Sequence, residues 1–221
     1  MLTRLFVSTV LIGALCVADV TAQDAVERGR AIASESDARA RGYVDLEARL
    51  TMILRSRDGD ERIRELRIRV LEGAEQGDKT LLVFERPRDL AGTALLTHAN
   101  PEGSDRHWLY LPAMNRVKRI GSSGQSGSFL GSEFSYEDIG SQELEKYRYR
   151  YLEATERDGT ELLLVERIPT DSESGYSRQI VAFNSKAHRI EEIVYYDRDG
   201  ELLKTLRLGA YRLYDDRFWR P

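Results

Sequence analysis

The chain has 221 residues, a formal net charge of −4 at pH 7 and a pI near 5.6. Because an acidic surface repels phosphate groups, these values argue against nucleic acid as a partner. Charged residues make up 32% of the chain, which indicates a well-hydrated exterior.

The first 22 residues have the pattern of a signal peptide. Arg4 supplies a positive charge, and the apolar stretch from Leu5 to Val17 is too short to span a bilayer. The sequence Val20-Thr21-Ala22 matches a signal peptidase site. We therefore predict cleavage after Ala22, a mature chain that starts at Gln23, and a periplasmic location. The alternative is a retained membrane anchor.

Cys16 is the only cysteine, and it lies in the segment that we expect to be removed. The mature chain then has no disulfide. A lipid-attachment cysteine needs a small residue directly before it, and Leu15 stands there, so we predict a soluble product. The remaining residues, 23–221, are predicted to form a single domain.

A helix is predicted from Asp24 to about Ala40. Asp24 can cap its N-terminus, Glu27 completes a capping box, and Gly42 follows its end. The apolar stripe of this helix contains few large side chains: Val26, Gly29, Ile32 and Ala33. Such a stripe can pack on a sheet but cannot drive folding by itself.

After Gly42 the apolar and polar residues alternate, which predicts half-buried antiparallel strands. Three Asp-Gly pairs, at 58–59, 158–159 and 199–200, predict tight hairpin turns. The strands that flank these turns are predicted near 46–54, 66–70, 147–156, 161–168, 189–196 and 202–208. Others are predicted at Thr80–Glu85, Thr93–His98, His107–Leu111, Arg116–Ile120 and Arg178–Phe183.

About eleven strands in one open sheet must curl, which creates a concave face in a mainly β fold. The stretch from Gly121 to Gly131 is rich in Ser and Gly and carries Phe129 and Leu130 at its tip. We predict that it is a mobile lid that becomes ordered when a ligand binds.

Four linked motifs resemble the outer-membrane lipoprotein-sorting protein family related to LolA and LolB. They are RPRDLAGTALLT at 86–97, WLYLPA at 108–113, RVKRI at 116–120 and GSFLGSEFSYED at 127–138. The likeness extends over nearly the whole mature chain. Within the family, the chain is similar to the branch that often accompanies resistance-nodulation-division type exporters. It implies a curved, incomplete antiparallel β-barrel, with the N-terminal helix and the lid segment covering the concave face. It also implies a hydrophobic cavity for acyl chains.

We predict that this cavity is lined by apolar side chains of the strands and the lid. The ligand-binding candidates are Leu50, Met52, Leu54, Leu66, Ile68, Phe84, Leu95, Trp108, Tyr110, Phe129, Leu130 and Phe134. Arg116, Lys118 and Arg119 are predicted to place positive charge at the cavity mouth, where an anionic headgroup could bind. The alternative is that the same apolar faces form a closed core.

The sequence lacks the usual signatures of catalysis and of metal binding. His98 and His107 are separated by a spacing that matches no zinc motif, so we interpret them as ordinary strand-end histidines. Covalent catalysis would need a nucleophile beside a base, and no such pair is evident. We predict no enzymatic activity, no cofactor and no metal.

Tyr147, Tyr149 and Tyr151 alternate with Arg148 and Arg150 along one strand. We interpret the tyrosines as packing residues behind an arginine-rich exterior. A docking edge for a partner is the alternative.

The patterns predict an exported, monomeric β protein, and the resemblance implies a periplasmic carrier that binds acyl chains of lipids or lipoproteins for transport towards the outer membrane. An inner-membrane exporter is a further expected partner. The alternative function is a periplasmic adaptor that docks on a resistance-nodulation-division type exporter and carries nothing.

Overall fold

The computed structural model describes residues 15–221 apart from 74–75, 102 and 141, and for residues 15–20 it describes the backbone only. Most of the predicted signal peptide, residues 1–14, lies outside the described residues. The described part contains one helix, α1 (Leu15–Ala40), and thirteen strands in three antiparallel sheets. Within the described residues, no helix is both long enough and apolar enough to cross a membrane.

The first sheet has six strands in chain order, each paired with the next. They are β1 (Asp45–Arg55), β2 (Glu61–Leu71), β3 (Lys79–Arg86), β4 (Ala94–His98), β5 (Arg106–Leu111) and β6 (Arg116–Ile120). The first Asp-Gly pair forms the predicted turn between β1 and β2, with Gly59 at a φ of 89°. The strand at 66–70 was predicted too short, since β2 begins at Glu61.

The second sheet has five strands in the order β11-β10-β9-β8-β7. They are β7 (Tyr147–Arg157), β8 (Thr160–Pro169), β9 (Tyr176–Asn184), β10 (Ile190–Asp197) and β11 (Leu202–Arg207). The other two Asp-Gly pairs form the turns β7–β8 and β10–β11. No described strand of this sheet pairs with a strand of the first sheet, so the barrel is incomplete, as predicted. The prediction of one open sheet is corrected, because the eleven strands divide into a sheet of six and a sheet of five.

A small C-terminal hairpin, β12 (Arg212–Tyr214) and β13 (Phe218–Arg220), was not predicted. Three residues are too few to show an alternating pattern. The hairpin docks on the end of α1, where Arg220 donates to the carbonyl oxygen of Ala40 and Arg217 donates to that of Arg41, both at 3.0 Å. These bonds satisfy carbonyl groups that a helix C-terminus leaves without partners.

The helix α1 covers the second sheet. Ala33 lies in a buried cluster with residues of β7 to β10, and Gly29 lies against the β7 backbone. A Cβ atom on Gly29 would lie 2.6 Å from the backbone nitrogen of Tyr151, so glycine is required for this close approach. The helix begins well before the predicted start at Asp24, because no glycine or proline interrupts the residues from Leu15 onward.

The tyrosines of β7 pack against neighbouring side chains, although β7 is an edge strand of the second sheet. Tyr149 is buried in the cluster beneath α1, and its ring lies 6.2 Å from that of Tyr147. The guanidinium of Arg28 on α1 lies 3.7 Å from the ring centroid of Tyr151. The interpretation of these residues as packing residues is confirmed.

Candidate functional site

The candidate site is one face of the first sheet, called the inner face because it carries the buried side chains of that sheet. The register places Leu66 of β2 between Leu50 of β1 and Phe84 of β3. Farther across the sheet, Leu95 of β4 pairs with Leu109 of β5. Leu66, Phe84 and Leu95 are each at most 2% exposed. Together with Phe129 of the lid, four of the predicted site residues lie in one closed cluster, and the predicted residue Ile68 packs against it.

The lid, Gly121–Gly131, closes this cluster. Phe129 is fully buried, and its ring centroid lies 5.8 Å from that of Phe84 and 5.6 Å from that of Tyr136. Leu130 packs against the same cluster and is partly buried. The lid is therefore not the open loop that its Ser- and Gly-rich sequence suggests, because one large aromatic side chain attaches it to the sheet.

Arg64 holds the tip of the lid, and the sequence prediction missed it. It lies on β2 on the same face as Leu66, and its guanidinium donates to the carbonyl oxygen of Leu130 at 2.8 Å. Leu130 has a φ of 50°, a left-handed conformation that is uncommon for leucine. Arg64 occupies a position two residues before Leu66, where the alternating pattern of the strand calls for an apolar residue. This exception to the pattern was the signal that could have identified it.

A short 3-10 turn, Tyr136–Ile139, joins the lid to the second sheet. The carboxylate of Asp138 accepts hydrogen bonds from Lys204 at 2.5 Å and from the Tyr176 hydroxyl at 2.8 Å. Burial, reinforced by the Asp138 carboxylate, raises the pKa of Tyr176, so this hydroxyl stays protonated and can donate. The turn Tyr136–Ile139, called the lid base, is thus fixed to the second sheet, while the lid tip at Phe129 and Leu130 lies on the first sheet.

Beside the closed cluster, the inner face continues as an apolar strip that the lid does not bury. This open strip consists of alternate residues of the edge strand β1: Leu46, Ala48, Leu50, Met52 and Leu54. Leu50 is 41% exposed, although its register partner Leu66 is buried. The predicted residues Leu50, Met52 and Leu54 therefore share one accessible surface next to the lid.

Trp108 and Tyr110 do not line this face. Alternate residues of a strand point to opposite sides, and in β5 the inward residues are His107, Leu109 and Leu111. The prediction that the two aromatic residues share a cavity with Leu95 is therefore corrected. Phe134, another candidate, is 37% exposed beyond the lid tip.

The predicted headgroup residues Arg116, Lys118 and Arg119 do not adjoin the open strip. All three are exposed on β6, the edge strand opposite β1. Five strand spacings separate β6 from β1, which is about 24 Å at roughly 4.8 Å per spacing. Arg64 and Arg62, which face Met52 and Leu54 in the register, are instead the cations next to the strip, and of these Arg64 contacts the lid.

One end of the inner face is polar. His107 is fully buried, its Nδ1 lies 2.9 Å from the Thr97 hydroxyl, and its Nε2 has no hydrogen-bond partner among the described residues. Burial lowers the pKa of His107 and favours its neutral form. His98 lies on the outer face, so the two histidines cannot share a metal ion.

A separate cavity of about 610 Å³ lies between the lid base and the second sheet. Most of its lining residues are polar by type, and the charged ones include Asp105, Glu137, Lys146 and Asp171. Burial raises the pKa of Glu137. Within the described residues, no three His, Cys, Asp or Glu side chains are grouped so that they could hold a metal ion. Such polar walls suit an acyl chain poorly.

Comparison with known proteins gives the family. A family model described as "Uncharacterized protein" matches residues 76–221. A solved structure from Vibrio parahaemolyticus, provisionally described as an outer membrane lipoprotein-sorting protein domain, is 45% identical with a TM-score of 0.86. The match covers 88% of this chain and 83% of that one. This chain belongs to the outer-membrane lipoprotein-sorting protein family.

Two further solved structures extend the family comparison. A DUF1329 family protein from Desulfovibrio piger is 28% identical with a TM-score of 0.83, and the match covers 88% of this chain and 82% of that chain. A LolA superfamily protein from Nitrosomonas europaea is 18% identical with a TM-score of 0.65, over 90% of this chain and 82% of that chain. The second likeness shows the fold alone. No curated protein sequence matches the chain significantly.

Proposed function

We propose that this member of the lipoprotein-sorting family is a periplasmic carrier that binds acyl chains of lipids or lipoproteins on the inner face of its first sheet. The single observation that carries the proposal is the pairing of an accessible apolar strip with an apolar cluster into which the lid inserts Phe129. Exposed Leu50 lies directly beside buried Leu66. An acyl chain on the strip would therefore continue into the cluster once Phe129 leaves it.

The lid supports this role because an acyl chain of about ten buried methylenes can return more free energy than opening the lid costs. Burial of one large apolar side chain such as Phe129 is worth about 1.5–3 kcal/mol, and about ten buried methylenes are worth roughly 8 kcal/mol. The hydrogen bond from Arg64 adds about 1.5–3 kcal/mol in favour of the closed lid. After the cost of association, binding would be about micromolar or weaker, which suits a carrier that must release its load.

Arg64 would also take part in cargo binding. When the lid opens, its guanidinium loses the Leu130 carbonyl and becomes free beside Met52 of the open strip. A phosphate or carbonyl group of the cargo can replace that carbonyl as acceptor. We assign the headgroup contact to Arg64 rather than to Arg116, Lys118 and Arg119. In this function the cargo is held by burial and hydrogen bonds, without a catalytic step.

The second candidate function is a periplasmic adaptor for an exporter that carries no cargo. The observation that favours it is the closed cluster itself, in which Leu66, Phe84, Leu95 and Phe129 already bury one another. A closed core needs no ligand, and its burial alone explains the apolar side chains.

Mass spectrometry of organic extracts separates these functions. We expect lipid or acylated peptide to be extracted from protein purified out of a bacterial periplasm, and much less from the variant Leu50→Glu. Equal extracts from both proteins, or no lipid from either, would favour the adaptor. N-terminal sequencing of the same sample tests the proposed export and the start of the single mature domain at Gln23.

A further inference from the structure

The outer face of the first sheet carries an uncovered apolar patch. Two rows of side chains cross the strands in register, and all of their apolar members are only half-buried or exposed. One row is Leu81, Leu96 and Trp108, and the other is Val83, Ala94, Tyr110 and Val117. Val117 is 64% exposed, and no residue of these rows belongs to either buried cluster.

Cations without carboxylate partners border this patch. Arg119 follows Trp108 in its row, while Lys79 and Arg106 lie in the next row with His98 between them. Among the described residues, none of the three cations forms an ion pair with a carboxylate. Two of these cations also affect a neighbouring side chain. Burial lowers the pKa of His98, and the positive charges of Lys79 and Arg106 lower it further.

On the same outer face, the β1 and β2 side of the sheet is close to neutral, because its cations are mostly paired with carboxylates. There Arg67 contacts Glu47 and Glu85, and Arg69 contacts Glu47 at 2.8 Å. Apart from Arg49 on β1, the outer-face cations that form no ion pair among the described residues therefore lie at the β3 to β6 side, although the chain as a whole has a net charge of −4.

We propose that this patch, centred on Trp108 and Tyr110, docks the protein on the surface of an anionic phospholipid bilayer. Tryptophan and tyrosine rings favour the boundary between water and acyl chains, because they combine an apolar body with a polar tip. Lys79, Arg106 and Arg119 would contact the lipid phosphates. Two rows across four strands form a broad face, which matches a bilayer surface better than it matches a single extended peptide.

The docking patch lies on the opposite side of the sheet from the open strip. It goes beyond the proposed carrier function, which it does not require, and the two can be tested separately. Loss of vesicle binding with normal binding of a fluorescent fatty-acid probe identifies a defect in docking alone.

The test is co-sedimentation of the periplasmically purified protein with vesicles of phosphatidylcholine alone or of phosphatidylcholine with phosphatidylglycerol. We expect binding only to the anionic vesicles. The double variant Arg106→Gln/Arg119→Gln should bind about 25-fold more weakly, from roughly a fivefold loss per cation. The matched control Arg57→Gln/Arg148→Gln removes the same charge from exposed positions elsewhere and should lose little.

Tryptophan fluorescence gives a second readout, since Trp108 and Trp219 are the only two tryptophans. In the variant Trp219→Phe, we expect a blue shift when anionic vesicles are added. In Trp108→Phe, the emission should stay constant. Equal binding to both kinds of vesicle, no binding to either, or equal losses in the two double variants would overturn the proposal. If the patch docks on an acidic protein instead, we expect no binding to either kind of vesicle.

Discussion

The two sheets of this protein are similar in construction, but their inner faces are covered in different ways. The second sheet lies under a helix that approaches β7 closely through Gly29. The first sheet lies under a Ser- and Gly-rich lid that reaches its core chiefly through Phe129, and its edge strand stays accessible at Leu50.

This difference separates a structural cover from one that a ligand can displace. A helix buries a continuous stripe and makes its backbone hydrogen bonds internally, so displacing it would forfeit an entire interface. The lid tip depends on one aromatic ring and on a few hydrogen bonds, of which the one from Arg64 reaches across to the sheet. Regions with few apolar contacts are the ones that open first. We therefore expect stability to reside in the second sheet and ligand binding in the first.

The largest expected effect comes from Gly29→Val, which breaks the helix cover. The new Cβ would lie 2.6 Å from the β7 backbone, so the helix must move. Overpacking of this kind costs about 3 kcal/mol, which corresponds to a fall of about 6–12 °C in melting temperature. Calorimetry measures this change. The control Gly121→Val introduces its side chain into open space and should be nearly neutral. A variant at Gly29 that melts like the wild type would show that the cover is looser than described.

The next effect concerns the open strip. Leu50→Glu places a carboxylate where acyl carbons should lie, and we expect a fluorescent fatty-acid probe to bind at least tenfold more weakly, which is about 1.4 kcal/mol. The protein should still fold, because Leu50 is 41% exposed.

Ile53→Glu is the matched control for that variant. Ile53 is 47% exposed on the same strand but points to the outer face, so its substitution should leave probe affinity unchanged. Equal losses in the two variants, or a wild type that ignores the probe, would rule out binding on the inner face.

Much of this architecture could be predicted from the sequence. The three Asp-Gly turns and the alternating residues gave eleven strands because each of those strands is long enough to show a period of two. The short strands β12 and β13 fall below that length. The helix was predicted too. The sequence did not show which of the two sheets it covers, since a narrow stripe of small residues can pack on either sheet.

The site was predicted less well, because alternation tells which residues share a face and not which face is buried. Trp108 and Tyr110 are in phase with each other, and only the pairing of Leu109 with buried Leu95 shows that they point outward. The cationic strand β6 was assigned to the cavity mouth because it precedes the lid in the chain, yet the sheet order places it farthest from β1.

A smaller effect is expected from Arg64→Leu, which removes the hydrogen bond to the Leu130 carbonyl. That bond is worth about 1.5–3 kcal/mol to the closed lid, so its loss raises the open population. An uncharged hydrocarbon probe, which has no headgroup for Arg64 to contact, should therefore bind about tenfold more tightly. Hydrogen exchange at Phe129 should become faster. The control Arg49→Leu changes an exposed arginine on the outer face of β1 and should alter neither measurement. Unchanged exchange in the Arg64 variant would mean that Phe129 alone keeps the lid closed.

The smallest effect distinguishes the two sheets by pH. Burial holds the pKa of His107, on the first sheet, below its ordinary value near 6.5, so the unfolded chain binds a proton more readily than the folded one. This contribution to stability is complete above about pH 6.5 and is lost as the pH falls below that value. On the second sheet, burial raises the pKa of Tyr149 and of Tyr195, and these groups lower stability only above the ordinary tyrosine pKa near 10.

Denaturant unfolding between pH 5 and 8 tests the acid side of this difference. We expect His107→Asn to be less stable than the wild type at pH 8, because it loses the contact with Thr97, but to show a flatter decline towards pH 5. His98→Asn is the control, since His98 is less buried and should account for less of the decline. If the wild type and His107→Asn lose stability in parallel, the acid sensitivity belongs to carboxylates such as Glu192, whose pKa is lowered by the hydrogen bond from Arg157, and not to the polar end of the inner face.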